Sequence, residues 1–387
     1  FSGGFAEGKA TQPIAPFGGE IFASYRLSDG TFPIYENIYN TNELGEFKVG
    51  ALFSLLRNRR IDQRRFNVED TRLAASQARL DVLLVQLNVQ FEAIRAYWTW
   101  VAAGNEVRVY ESLLEIAEAR TVGLVRQVDA GAVPQITLTE NEQNLIQRRR
   151  FLVEAQRSFT NAANRLSFYL RDERGVLIVP TRQQLPEAEA LEQLPDMQSL
   201  MAMARNDILD QRPELRNFRI QLERARNRVE LRRNDLKPNL DFSVELSRDF
   251  GPIGDGGPTF DSTDAIVGLT FSVPLQRRMA RGAVRRAEAE LREIELREQR
   301  TADQIRVELD NILVNLNAAL QSAGLANDEV VQRNTMVDAE RKRFRLGAGN
   351  FFLVNEREED AANAQVSAIR ADLNGRLAAA SYSAATM

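Results

Sequence analysis

Apolar and polar residues alternate strictly at four places in the chain. Leu240, Phe242, Val244 and Leu246 are interleaved with Asp241, Ser243, Glu245 and Ser247. Val267, Leu269, Phe271, Val273 and Leu275 share one face of the next such segment, with Gly268, Thr270, Ser272 and Pro274 on the other. Ile21, Ala23, Tyr25 and Leu27 form a weaker version, followed by Phe47, Val49, Ala51, Phe53 and Leu55. A period of two predicts strands with one apolar and one polar face. Each is roughly 9–10 residues long, the length with which a tilted strand crosses a bilayer. Long polar connections, Ser28 to Glu46 and Arg248 to Asp264, join the members of each pair, as on one side of an outer-membrane barrel. Two solvated hairpins of a small soluble sheet would leave the same alternation.

The period then changes. Leu80, Leu84, Leu87, Phe91, Ile94, Trp98 and Val101 fall at spacings of four and three, a heptad seam. Ile305, Leu309, Ile312, Leu316, Ala319, Ala323 and Ala326 repeat it. The helix around the first seam extends from about Asp62 to Ala130 without a proline, roughly 100 Å at ~1.5 Å per residue. Its counterpart extends from about Met279 to Leu346. Both far exceed the average globular helix of about 11 residues. A 3.5-residue period implies left-handed packing against neighbouring helices. Each long helix meets a glycine turn, Asp129-Ala130-Gly131-Ala132-Val133-Pro134 and Leu346-Gly347-Ala348-Gly349-Asn350, where the left-handed conformation ends it. Returning helices are predicted over about Gln135–Leu170 and Phe351–Ala380.

These elements occur twice. Val49-Gly50-Ala51-Leu52-Phe53-Ser54 reappears as Val267-Gly268-Leu269-Thr270-Phe271-Ser272, and the two seams superpose at the same offset. The glycine turns match at nearly that offset, as do Glu140 and Glu142 with Glu356 and Glu358. The chain therefore reads as a tandem duplication in five parts: 1–56, a first strand pair with its polar loop; 57–171, a long helical hairpin; 172–211, a connector with prolines and a short helical pattern near Met197–Arg205; 212–275, a helix at about Pro213–Leu236 and the second strand pair; and 276–387, the second hairpin. The helix at Pro213 has no first-half partner before Ile21, where the residues are rich in Gly and Pro. The chain reads as a processed or truncated product whose precursor extends upstream of Phe1.

Composition narrows the function. The 387 residues include no Cys and no His, which removes thiol nucleophiles, Ser-His triads, disulfides and the common zinc sites. No calcium-loop spacing of acids and no phosphate-binding glycine loop occurs, so no cofactor or metal is expected. Acid pairs such as Glu358-Glu359 sit in helical charge runs and read as solvated faces rather than acid–base catalysts, so the chain is not read as an enzyme. A net charge of −4 argues against nucleic-acid binding. No run of eighteen apolar residues is present, which leaves strands as the means of crossing a membrane.

The order and spacing of several weak motifs carry a family resemblance. They are Arg212-Pro213-Glu214-Leu215, Leu236-Lys237-Pro238-Asn239-Leu240-Asp241, Val267 to Leu275, and Phe344-Arg345-Leu346-Gly347-Ala348-Gly349, together with the duplication itself. The chain resembles the TolC family of outer-membrane efflux proteins over nearly its whole length. The resemblance implies an α+β membrane protein in the bacterial cell outer membrane. It implies a homotrimer with a twelve-stranded barrel, four strands per protomer, set in outer-membrane lipid and continuous with a long α-helical coiled-coil tunnel in the periplasm. The strand count agrees, since four strands cannot close a membrane barrel alone and an open edge in lipid leaves backbone groups unpaired. The implied function is a passive exit duct, recruited by an inner-membrane pump through a periplasmic adaptor. The alternative is a soluble coiled-coil scaffold.

By the same resemblance, the adaptor docks at hairpin tips formed by Ala130, Gly131, Ala132, Leu346, Gly347 and Ala348. Val122-Gly123-Leu124 matches a tip motif of the family by letters, but its spacing to the turn is wrong. The family often places Asp six residues after the turn glycine; here Thr137 and Leu353 stand there, with Glu140 and Glu356 three residues on. These four are the candidate periplasmic aperture. Leu240, Phe242, Val244, Val267, Leu269 and Phe271 are the candidate lipid-facing residues.

Overall fold

The computed structural model describes residues 3–14, 16–30, 41–187, 194, 208–252 and 263–386. Most of the 28–46 and 248–264 connections and the Met197–Arg205 pattern lie outside them. Two compact units are present: Phe1–Leu80 with Arg216–Arg300, and Asp81–Leu215 with Thr301–Met387.

The first unit is built on one antiparallel sheet whose strands lie in chain order: β1 (Gly3–Pro13), β2 (Glu20–Gly30), β3 (Glu46–Ser54), β4 (Asn239–Asp249) and β5 (Asp264–Ser272). The register brings the alternating residues of both halves onto common faces. Ile21 pairs with Ala51, Ala23 with Val49 and Tyr25 with Phe47. Val49 in turn pairs with Leu246, Ala51 with Val244 and Phe53 with Phe242. Val244 pairs with Val267, Phe242 with Leu269 and Leu240 with Phe271. One face of β2–β5 is therefore apolar across all four strands, since a slip of a single residue would invert every side chain.

Two details differ from the sequence reading. The strands of the second and fourth alternating segments stop at Ser54 and Ser272, short of Leu55, Val273 and Leu275. The Gly- and Pro-rich residues before Ile21 also supply a strand, β1, which brings the sheet to five. β1 lacks apolar alternation and is exposed along its whole length, so it is held by backbone pairing that leaves no trace in side-chain periodicity.

The sheet passes into helix α1 (Gln63–Asp129) through a polar junction. Asp62 accepts the Arg65 backbone N–H at 2.8 Å and so caps the helix. Asn58, in the left-handed region at φ 65°, exchanges hydrogen bonds with buried Asn234 at 3.1 and 2.9 Å. Asn234 ends helix α3 (Pro213–Asn234), from which Arg224 grips Asp70 of α1 through two bonds of 2.8 and 2.9 Å. That bidentate pairing holds the Asp70 carboxyl below its usual range.

The second unit contains α2 (Ile136–Ser167), α5 (Phe351–Thr386) and most of α1 and α4 (Arg278–Arg345). The heptad positions face inward. Ile305, Leu316 and Ala323 of α4 are buried, while Val307, Val314 and Leu325 on other faces are exposed. Leu316 packs with Ala379 and Tyr382 of α5. Trp100, Val101 and Ala103 of α1 pack with Ala162, Ala163 and Leu166 of α2 and with Leu185 of the connector. Many of these side chains are alanine, which lets helix backbones approach closely. Gly104 takes this furthest, since a Cβ there would lie 2.5 Å from the Leu185 side chain.

Glycines of α1 should therefore respond oppositely to substitution. Gly104→Val should destabilise the second unit by about 1–3 kcal/mol through overpacking. Gly123, with open space around it, should gain about 0.5–1 kcal/mol on replacement by Ala because the helix loses a flexible residue. Urea denaturation followed by tryptophan fluorescence reads both, since the chain's two tryptophans, Trp98 and Trp100, lie at the Leu185 cluster.

Candidate functional site

Three features stand out: the faces of the sheet, the ends of the hairpins, and a buried ionic cluster between helices.

The sheet is inverted relative to a soluble protein. Many side chains of its apolar face are exposed, including Ile21, Tyr25, Leu27, Phe47, Val49, Leu246, Val267, Leu269 and Phe271. On the opposite face Ser24, Glu46, Ser54 and Ser247 are buried. On that face Glu46 pairs with Arg26 at 3.4 Å and with Lys48 at 3.8 Å, and Ser54 donates to Asp241 at 2.9 Å. Of the six residues expected to face lipid, Val267, Leu269 and Phe271 are exposed, while Leu240, Phe242 and Val244 on the same face are half-buried.

The two long helices end in the same way. Gly131 and Gly347 adopt left-handed φ values of 67° and 76°. The Gly131 N–H bonds the Val128 carbonyl and the Ala132 N–H that of Gln127; Gly347 and Ala348 repeat this with Phe344 and Arg343. This paired closure satisfies the last carbonyls of each helix. Ala130, Gly131, Ala132, Leu346, Gly347 and Ala348 are all exposed. Asn350 restarts the second hairpin by accepting the Phe352 N–H at 2.9 Å. Of the four aperture candidates, Thr137 and Leu353 are half-buried, and Glu140 and Glu356 are exposed.

Glu358 corrects the sequence reading. It is not on a solvated face but buried, at 3% exposure, among three arginines. Its Oε1 accepts hydrogen bonds from Arg120 of α1 and, at 2.9 Å, from Arg341 of α4. Its Oε2 accepts from Arg148 of α2 at 3.2 Å. One carboxylate on α5 thus ties together the four long helices α1, α2, α4 and α5. Asn355 accepts from Arg120 at 2.8 Å, and Arg148, itself 2% exposed, also donates to the Leu113 carbonyl at 2.8 Å. Burial is the largest influence on the Glu358 carboxyl and alone would raise it. The charge and hydrogen bond of Arg120, joined by those of Arg341, outweigh it and hold the group below its ordinary range. Arg148 is lowered by burial, and Glu358 offsets only part of this. The carboxylate is therefore held in its charged form by the arginines around it.

A sequence signal for this cluster existed. Phe351, Val354, Glu358 and Ala361 recur at spacings of three and four, which places Glu358 on the buried stripe of α5. Its counterpart Glu142 lies off the stripe of α2 formed by Asn141, Leu145 and Arg148, and is exposed.

The remaining concavities offer little chemistry. A cavity of about 410 Å³ is lined by Trp98, Val109, Val330, Ile369, Leu373 and Arg376, among others. Its charges are engaged, with Arg376 bonded to Asp372 at 2.7 Å and stacked 4.2 Å over the Trp98 ring. Among the described residues, no acid cluster is placed to hold a metal ion and no helix is long and apolar enough to cross a membrane.

Residues 204–381 match the family model of the outer membrane efflux proteins. That match covers a little less than half of the chain. The structural likeness extends over the whole chain. The Campylobacter jejuni outer membrane channel CmeC aligns with a TM-score of 0.68 at 16% identity, covering 100% of this chain and 77% of that one. The Vibrio cholerae outer membrane protein VceC aligns at 0.66 and 14%, covering 100% and 86%. The open state of the Neisseria gonorrhoeae outer membrane channel MtrE aligns at 0.65 and 12%, covering 100% and 80%. No curated protein matches the sequence significantly. The matched segment contains α3, β4, β5, α4 and nearly all of α5, and the first half shares its fold with the same channels although the family model does not reach it.

Replacing Glu358 by Gln should leave Arg148 buried without its counter-charge and cost about 3–5 kcal/mol in urea denaturation. The pH dependence has a defined sign. Because the folded carboxyl lies below its unfolded value of about 4.3, its stabilisation is complete above that pH and is lost as pH falls through the folded value. The acid limb of the stability profile should be shallower in Glu358→Gln than in the native chain.

Proposed function

We propose that the protein is an outer-membrane exit channel for efflux or secretion. It forms a homotrimer in which β2–β5 of each copy contribute to a twelve-stranded barrel, with the helical unit in the periplasm. The observation that supports this best is the inverted sheet. A face carrying Leu269, Phe271 and Val267 is exposed at β5 and half-buried at their β4 partners, while on the opposite face Ser24, Glu46, Ser54 and Ser247 are buried. Water penalises that arrangement, and lipid on one side with an aqueous lumen on the other rewards it. The family match and the named relatives support the efflux role.

In this reading the channel conducts passively and takes its substrate from an inner-membrane pump through a periplasmic adaptor. The exposed turns around Gly131 and Gly347 are the adaptor-docking sites. Glu140 and Glu356, with Thr137 and Leu353, line the aperture, where three copies would present six carboxylates and favour cations.

The assembly is tested by extraction. The native protein should leave outer membranes only in detergent and as a trimer; recovery as a water-soluble monomer would overturn the reading. The orientation of the sheet is tested by charge. Leu269→Arg should cost about 2–4 kcal/mol of folding stability in lipid bilayers if it lies near mid-depth, whereas Thr270→Arg on the polar face should be tolerated. Equal costs at the two positions would reject the assigned faces.

The aperture is tested separately by single-channel recording in planar bilayers. Glu140→Gln combined with Glu356→Gln should lower cation selectivity and weaken block by multivalent cations. Unchanged selectivity would remove both residues from the aperture.

A further inference from the structure

The five-stranded sheet poses a problem of direction. Every neighbouring pair is antiparallel, so β1, β3 and β5 run one way and β2 and β4 the other. When identical copies join edge to edge in a ring, the β5 edge of one meets the opposite edge of the next. If that edge is β1, the two strands at each junction run parallel. If it is β2, they run antiparallel and the ladder continues unchanged around the ring. Bacterial membrane barrels built from single chains are antiparallel throughout with even strand numbers, which follows from the same requirement.

β1 also fails to extend the apolar face. Its register opposite β2 sets Gln12 against Ile21, Ala10 against Ala23, Gly8 against Tyr25 and Ala6 against Leu27. The face that carries aromatic and branched residues on every other strand therefore carries small or polar ones on β1. Its other face adds Lys9, seated 4.2 Å over the Phe22 ring. All eleven residues of β1 are exposed, so its attachment rests on the backbone ladder to β2 and little else. A β5 strand in its place would set Val267, Leu269 and Phe271 beside Ile21, Ala23 and Tyr25. It would recover the same backbone bonds and join the apolar faces of the two copies.

We propose that β1 is an intramolecular cap on the β2 edge of the unassembled chain, and that β5 of a second copy displaces it when the barrel closes. The cap answers a hazard general to sheets. An uncovered edge strand is a template for misdirected pairing, and a covering segment blocks it until the intended partner arrives. Its weak side-chain packing makes β1 displaceable, and the exchange of one ladder for another resembles strand addition to a sheet edge. The proposal rests on the trimeric barrel proposed above.

The chain has no native cysteine, so the cap can be locked by design. Two double variants serve: Ala10→Cys with Ala23→Cys, and Lys9→Cys with Ser24→Cys, each joining directly paired residues of β1 and β2. Adjacent antiparallel pairs alternate between hydrogen-bonded and non-bonded types with Cα separations of about 5.5 and 4.5 Å, both within disulfide range. Each full-length variant is oxidised, checked for native circular dichroism, and added to phosphatidylcholine vesicles. Trimer is then read on unheated gels after cross-linking.

The oxidised variants should remain monomeric and dithiothreitol should restore the trimer. A chain lacking residues 3–13 should trimerise at least as fast as the native one. Equal trimer yield from oxidised and reduced chains, or a monomeric deletion chain, would overturn the cap while leaving the channel intact. A native chain that stays monomeric under the same conditions would overturn the channel reading, and the cap with it.

Discussion

The first unit depends on backbone hydrogen bonding in a place where side chains do not enforce it. A soluble sheet buries its apolar face and lets the core fix the register. Here the apolar face of β2–β5 is exposed, so no core lies behind Leu269 or Phe271. Register is fixed instead by the ladder and by the sheltered polar face, where Arg26, Lys48 and Glu46 pair and Ser54 bonds Asp241. The junction after β3 also relies on polar pairing: Asn58, Asn234, Asp62 and Arg65 are joined by hydrogen bonds where the chain leaves the sheet.

The second unit is organised differently. Its helices meet through many alanines, which permit close approach, together with larger side chains such as Trp100, Leu166, Leu316 and Tyr382. Against that background one ionised cluster connects the four long helices. A buried carboxylate shared by three guanidiniums adds little net stability relative to a packed apolar core, yet it is costly to break and hard to satisfy in any other arrangement. Glu358 therefore specifies which helix faces meet more than it strengthens their meeting. Arg148, deeper than either of the other arginines, is the part of the cluster that depends most on it.

Much of this was legible in the sequence because it is periodic. The alternating residues placed β2 through β5, and the heptad positions at Ile305, Leu316 and Ala323 marked the buried face of α4. Gly131 and Gly347 located both helix ends, since a left-handed residue after a long seam has few other uses. What escaped were interactions without period. β1 is a strand by backbone pairing alone, and Gly4, Gly8 and Lys9 signal nothing of the kind. Arg120, Arg148 and Arg341 are scattered through a chain rich in arginine, and only the fold brings them to one carboxylate. Glu358 interrupts an apolar stripe, but it also stands in the charge run Glu356 to Asp360, which reads as a solvated face.

The two helix ends share a shape but not a charge. Both close through the same pair of hydrogen bonds around a left-handed glycine. The last turn of α1 carries Arg126 with Asp129 nearby, whereas that of α4 carries Lys342, Arg343 and Arg345. The backbone turn is the same at both ends, and its charged surroundings differ. A protein that reads turn geometry finds two equivalent landmarks on every chain. One that reads electrostatic potential finds a single basic landmark, and so can tell the two turns apart.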